Sequence, residues 1–265
     1  MAFSRLGEMR SLIPSSVNIM ALTATATRET YAIVCSRLSM RQPVCISLPP
    51  ERVNIKYVVK AQPSLKNLVA GLTEELKVAG KKTVIFCRKY TECSSMYVAF
   101  RNALGPEFTD PAGYPDLHEF RRVEMYTRAC TEKVKGKILE DFVKPQGILH
   151  IVIATTAFGM GIDCPDIERI IHWHPPSGLE GYVQESGRAG RDGRQSESII
   201  YYHSQGRFTD VDVVQYCTNS SRCRRKLLFS TFLEGDTIDF QKTPCRCCDI
   251  CESSCTCVSC TQMID

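Results

Sequence analysis

The run Gln184-Glu185-Ser186-Gly187-Arg188-Ala189-Gly190-Arg191 sets two arginines three residues apart among glycines. A guanidinium stays charged at any physiological pH, and its planar fork matches phosphate oxygens in a way that lysine's point charge does not. Glycine lets backbone approach a ligand with no Cβ in the way. The pattern therefore suits a tight turn at a helix end that presents Arg188 and Arg191 to an anion, with Gln184 one turn earlier. Against a γ-phosphate such an arginine can be worth ~10³–10⁵ in rate. The competing reading is an Arg-Gly turn exposed to solvent, so the neighbourhood must decide.

Upstream, Ile151-Val152-Ile153-Ala154 reads as a buried strand that delivers Thr155-Thr156 and the loop Gly159-Met160-Gly161-Ile162-Asp163 at its carboxyl end. That is where ligands bind in open α/β sheets. A dinucleotide fingerprint would need a third glycine at position 164, which is Cys164, and that reading is rejected.

A second chemistry lies at the other end of the chain. Of fifteen cysteines, eight fall in the last 43 residues. With no secretory leader at the start, metal binding is preferred to a disulfide module. Cys245-x-x-Cys248-x-x-Cys251 offers three thiolates at ligand spacing, and Cys223 on a preceding helix can supply the fourth. Four thiolates suit a closed, tetrahedral, structural Zn²⁺ site. Cys247 is a spare in this scheme. Cys255, Cys257 and Cys260 extend the cluster, either around a second ion or, as the preferred reading, as free thiols in a disordered tail.

The elements that must position these residues alternate. Short apolar runs at Thr83–Cys87, Val123–Tyr126, His150–Ala154, Arg169–Trp173 and Ser198–Tyr202 read as strands. Helices are expected at Glu92–Leu104 with Thr91 as cap, at Thr131–Phe142, at Gly181–Arg188 and through Val211–Phe232. Residues 105 to 119, rich in proline and glycine, read as an irregular loop. The sum is an α/β fold with a parallel sheet covered on both faces. The 265 residues can bury a full core, and a net charge of +4 permits nucleic-acid binding without arguing for it. No apolar run approaches the ~20 residues of a membrane span, and the expected setting is intracellular, with reduced thiols.

Taken together, Ile151 to Gly193, Ala21-Leu22-Thr23-Ala24-Thr25-Ala26-Thr27, Thr83 to Cys93, Tyr216-Cys217 and Cys223-Arg224-Arg225-Lys226-Leu227-Leu228 resemble the RecQ family of DNA helicases, in the family's order. The resemblance implies a RecA-like lobe, the second of two that clamp ATP, followed by a small helical zinc-binding subdomain. Arg191 would be the arginine finger and Arg188 its companion. Gln184 would align the triphosphate or the attacking water. Gly161 and Asp163 would edge the nucleotide. Thr155 and the Cys87–Arg88 turn would hold the phosphates of the translocated strand, and Thr23 and Thr25 would couple the lobes. Cys223, Cys245, Cys248 and Cys251 would hold Zn²⁺. Implied partners are single-stranded DNA and duplex junctions, with no membrane. The implied activity is 3′-to-5′ unwinding in repair and recombination, in the nucleus. Expected divisions are residues 1–50, a remnant of the first lobe; 51–205, the second lobe; 206–252, the zinc-binding subdomain; and 253–265, a cysteine-rich tail.

No window of the sequence reads G-x-x-x-x-G-K-[ST], the loop that cradles phosphates and Mg²⁺. Nor is there an acidic box of the Asp-Glu-x-His kind, since Asp116-Leu117-His118-Glu119 has the wrong order. ATP and Mg²⁺ are therefore expected only together with a first lobe, and the expectation is a fragment of an active helicase, inactive alone. The alternative is a non-catalytic, zinc-containing nucleic-acid-binding module.

Overall fold

Buried strands with no polar face are what a parallel sheet between two helical layers demands. Three of the strands meet that description at every position: β2 (Thr83–Phe86), β4 (Ile151–Ala154) and β5 (Arg169–His172). They occupy the centre of a sheet completed by β1 (Ile55–Ala61), β3 (Val123–Tyr126) and β6 (Ser196–Tyr202). The order is β1-β6-β5-β2-β4-β3, and every pairing is parallel. This is a computed structural model that describes residues 3–14, 16–48, 50–78, 80–155, 164–204, 210–232 and 245–257.

Alternation along each strand splits the apolar side chains between two cores. Val84, Phe86, Val152, Ala154, Ile170 and Ile200 face one. Ile85, Ile151, Ile153, Ile171 and Ile199 face the other. The second core is closed by α3 (Leu65–Val78) and α4 (Tyr90–Leu104), through Leu68, Leu72, Met96 and Phe100. The first is closed by α5 (Glu132–Val143), α6 (Leu179–Ser186), α7 (Val211–Thr218) and α8 (Arg224–Phe229), through Phe142, Tyr182, Tyr216 and Phe229. Each Val, Leu, Ile, Phe or Met side chain fully buried in these cores is worth about 1.5–3 kcal/mol.

Three short helices lie outside these layers: α1 (Met9–Leu12) and α2 (Arg28–Arg37) at the beginning, and α9 (Asp249–Ser253) at the end. The second of these, α2, has no buried residue of its own. No helix among the described residues is long and apolar enough to cross a membrane.

Two local expectations are corrected. Thr91 does not cap α4; the helix starts at Tyr90, because the Glu92 carboxylate reaches back to the amides of Arg88 (3.0 Å) and Lys89 (3.2 Å). The single helix expected over Val211–Phe232 is two, α7 and α8. Asn219 divides them: its side chain accepts from the Arg222 amide (3.0 Å) and donates to the Arg222 carbonyl (2.6 Å), offering the backbone an alternative to helix.

Candidate functional site

The glycine-arginine turn grows directly out of α6. Gly187, Arg188 and Ala189 donate to Val183, Glu185 and Ser186, which tightens the last turn of the helix. Gly190 then donates to Ile167 (2.8 Å) and Asp192 to Pro165 (3.1 Å), so the turn is sewn to the segment that leads into β5. Asn54 clamps it from the far side, donating to the carbonyls of Gly190 (2.8 Å) and Arg194 (2.7 Å). The helix itself is held to the sheet by His172 Nε2 against Glu185 Oε2 (2.8 Å), and by Ser186 Oγ against Ser198 Oγ (2.8 Å).

So positioned, Gln184, Arg188 and Arg191 line one open cleft of about 620 Å³, together with Thr25, Glu51 and Arg52. Arg188 is 9% exposed. Burial, and after it the charge of Arg191, lower its pKa, with Glu185 acting in the opposite direction. A half-desolvated guanidinium with a second one beside it is an arrangement an anion relieves.

The threonine motif meets the same helix. Gln184 donates to Thr25 Oγ1 (2.8 Å), while Thr23 Oγ1 donates to the Thr25 carbonyl (2.7 Å) and shapes the loop. One turn before Gln184, the Glu180 carboxylate accepts from the Thr27 amide (2.9 Å) and from the Thr30 hydroxyl. Burial alone would raise the Glu180 pKa; the Thr30 and Thr27 hydrogen bonds outweigh it and hold the carboxyl below its ordinary value. Glu180 had no place in the sequence reading. Its signal is the i, i+4 spacing to Gln184, which puts both on one face of α6.

The expected strand-contact residues sit at the carboxyl ends of two adjacent strands. Thr155 follows β4 and is half-buried. Cys87 follows β2, and its amide donates to Ala154 (2.8 Å) as the last rung of the ladder. Its thiol is buried, and contact with Cys93 followed by burial pushes its pKa up, so it stays protonated. Of this turn it is Arg88 that is exposed, with Nε donating to the Pro175 carbonyl (3.1 Å). Gly161 and Asp163 lie outside the described residues.

The cysteines regroup. Cys223, Cys247, Cys248 and Cys251 have their sulfurs within 4.8 Å of one another, and Cys245 does not belong to this set. The reason is backbone pairing. The Cys247 carbonyl accepts from the Tyr57 amide (3.1 Å) and Cys248 bridges to Tyr57, which pins both against the edge of β1. Cys245 precedes this anchor in an exposed turn and joins Cys255 and Cys257 instead. Cys260 lies outside the described residues. The Cys-Arg-Arg run gives each member a partner. Cys223 joins the quartet, Arg224 pairs with Asp249 (2.5 Å) of α9, and Arg225 donates to Glu51 and to the carbonyls of Arg52, Val53 and Ile55.

A parallel sheet of this order, with an arginine turn after its last crossover helix, defines a RecA-like helicase lobe. Among solved structures, Saccharomyces cerevisiae Dbp5 bound to RNA and ADP BeF3 has the same fold, with a TM-score of 0.57 at 15% identity over 75% of this chain and 48% of that one. Mycobacterium smegmatis helicase Lhr, bound to ssDNA and AMP-PNP, gives 0.57 at 16% over 74% and 25%. The family described as "Helicase conserved C-terminal domain" matches residues 64–193. The RecQ-like DNA helicase blm-1 of Caenorhabditis elegans is 31% identical over 94% of this chain and 26% of its own length. The ATP-dependent helicase SGS1 of Saccharomyces cerevisiae is 28% identical over 90% of this chain and 16% of its own length. The chain belongs to the RecQ family of helicases, as a C-terminal portion of the helicase region, and spans about a quarter or less of these two relatives.

Proposed function

We propose that the chain is the second motor lobe of an ATP-dependent DNA helicase that moves 3′ to 5′ in repair or recombination, and that it contributes half of the ATP site. The observation that carries this is the single cleft in which Gln184, Arg188 and Arg191 converge beside Thr25. A triphosphate held by a first lobe would meet Arg191 as the finger and Arg188 beside it, where charge developing on the γ-phosphate is stabilised. Gln184 would report on that phosphate to the threonine loop through its bond to Thr25 Oγ1. Arg88 and Thr155, at neighbouring strand ends, would hold successive phosphates of one DNA strand, with Gly161 and Asp163 at the nucleotide's edge.

The quartet Cys223, Cys247, Cys248 and Cys251 fits a structural Zn²⁺: four sulfurs, mutually close, two of them buried. The ion would fix α8 and α9 to each other and add no chemistry to catalysis.

The sequence holds no phosphate-cradling loop, so the chain by itself is expected to bind single-stranded DNA weakly and to hydrolyse no ATP. Mixed with a separately expressed RecQ-type first lobe, it should gain DNA-stimulated hydrolysis, and Arg191→Ala should lower that by at least ~10³. DNA-stimulated turnover by the chain alone, abolished by Arg191→Ala, would refute the half-site reading.

A further inference from the structure

The described cysteines near the end of the chain sort into two groups, and the Zn²⁺ site proposed above uses one. Cys245, Cys255 and Cys257 form the other, with all three sulfurs within 4.8 Å. The chain is brought back on itself by α9, whose end is closed by Ser254 donating to Ile250 (3.1 Å) and Cys255 to Glu252 (3.4 Å). Cys255 and Cys257 thereby return to Cys245 from about ten residues further along the sequence. The Cys245–Cys257 sulfur separation is 3.6 Å and that of Cys255–Cys257 is 3.2 Å. Thiolates on a tetrahedral zinc with Zn–S bonds of about 2.3 Å stand about 3.8 Å apart, so the three sulfurs are already gathered at the scale of one ion's coordination sphere.

We propose that Cys245, Cys255 and Cys257 form a second zinc site, distinct from the quartet and open to solvent. Among the described residues the donor set is three sulfurs with no carboxylate, which selects a soft or borderline ion over magnesium or calcium. Binding would release one proton from each thiol to solvent and form three Zn–S bonds, leaving the fourth position to water. Cys245 is exposed and its two partners half-buried, whereas Cys247 and Cys248 of the quartet are buried. An ion held this way exchanges faster than one in a closed four-thiolate site. The second site would staple the turn before Cys247 to the segment after α9, closing a loop around the first ion.

The test uses the full chain, purified under thiol reductant, loaded with zinc and desalted. Elemental analysis should find two zinc ions per chain, and a chromophoric chelator should withdraw one quickly and one slowly. Cys255→Ser/Cys257→Ser should hold one ion, released slowly, and Cys245→Ser should behave in the same way. Two ions retained in the double variant would overturn the proposal, as would loss of the slow ion on Cys245→Ser. A wild-type chain holding one slow ion overturns the second site and leaves the quartet standing. A wild-type chain holding only a fast ion overturns the quartet instead.

Discussion

At the scale of single residues, the arginine turn depends on a glycine that carries no chemistry. Gly190 has φ of +61°, in the left-handed region that side chains disfavour. A Cβ there would come within 2.3 Å of Asn54 Nδ2, 2.8 Å of Ser196 Oγ and 2.9 Å of the Arg194 carbonyl. Backbone strain of this kind costs about 1–3 kcal/mol before any clash is counted. Gly190→Ala should therefore lower the melting temperature and, in the reconstituted two-lobed enzyme, lower turnover at saturating ATP, because Arg191 is the next residue. Unchanged melting and unchanged turnover would show that the turn is looser than its contacts imply. The glycine and both arginines were legible from type and spacing, since a local turn writes its requirements locally. Asn54 was not: it reaches the turn across 136 residues of sequence, and nothing in its own neighbourhood marks it.

At the scale of elements, α6 is a two-sided part. One side is sewn to the sheet, and the other presents Glu180 and Gln184 to the loop that begins at Thr23 and to α2. Because α2 buries no residue of its own, these polar contacts carry much of its docking. The Glu180 carboxyl is held below its ordinary value in the folded chain. A depressed carboxylate contributes stability that is present above its unfolded pKa and is lost as pH falls through the folded one. Protection of α2 amides against hydrogen exchange should accordingly be constant near neutrality and weaken below about pH 4.5, the unperturbed value. Glu180→Gln should leave α2 several-fold less protected at pH 7 and remove this acid step. An acid step persisting in Glu180→Gln would place the titrating group elsewhere. The strands around α6 were readable from unbroken apolar runs, because both faces of the sheet are covered. The division of α7 from α8 was not, because it rests on one asparagine side chain bonding the backbone of Arg222.

At the scale of the whole molecule, the cysteine-quartet end and the arginine-lined cleft are joined through one buried side chain. Arg225 is fully buried in α8, beside the quartet cysteine Cys223, and its guanidinium grips residues 51–55 through Glu51 and three carbonyls. Those same residues lead in two directions. Glu51 and Arg52 line the cleft with Arg188 and Arg191, and Ile55 opens β1, whose edge holds the Cys247–Cys248 segment. Met20, Leu22, Val44, Ile46 and Leu48 are largely exposed, apolar side chains of the sort a neighbouring lobe would cover. The ion would then act at a distance, by holding α8 where Arg225 can fix one wall of the cleft. Arg225→Ala removes a buried cation from its carboxylate and takes a donor from three carbonyls, a loss of about 3–5 kcal/mol. For a chain of this size that corresponds to a fall in melting temperature on the order of 10 °C. Chelating the slowly exchanging ion from the wild type should lower melting in the same way, and chelating it from Arg225→Ala should add little, because both act through one connection. Fully additive losses would show that the metal supports the fold by a route that does not pass through Arg225.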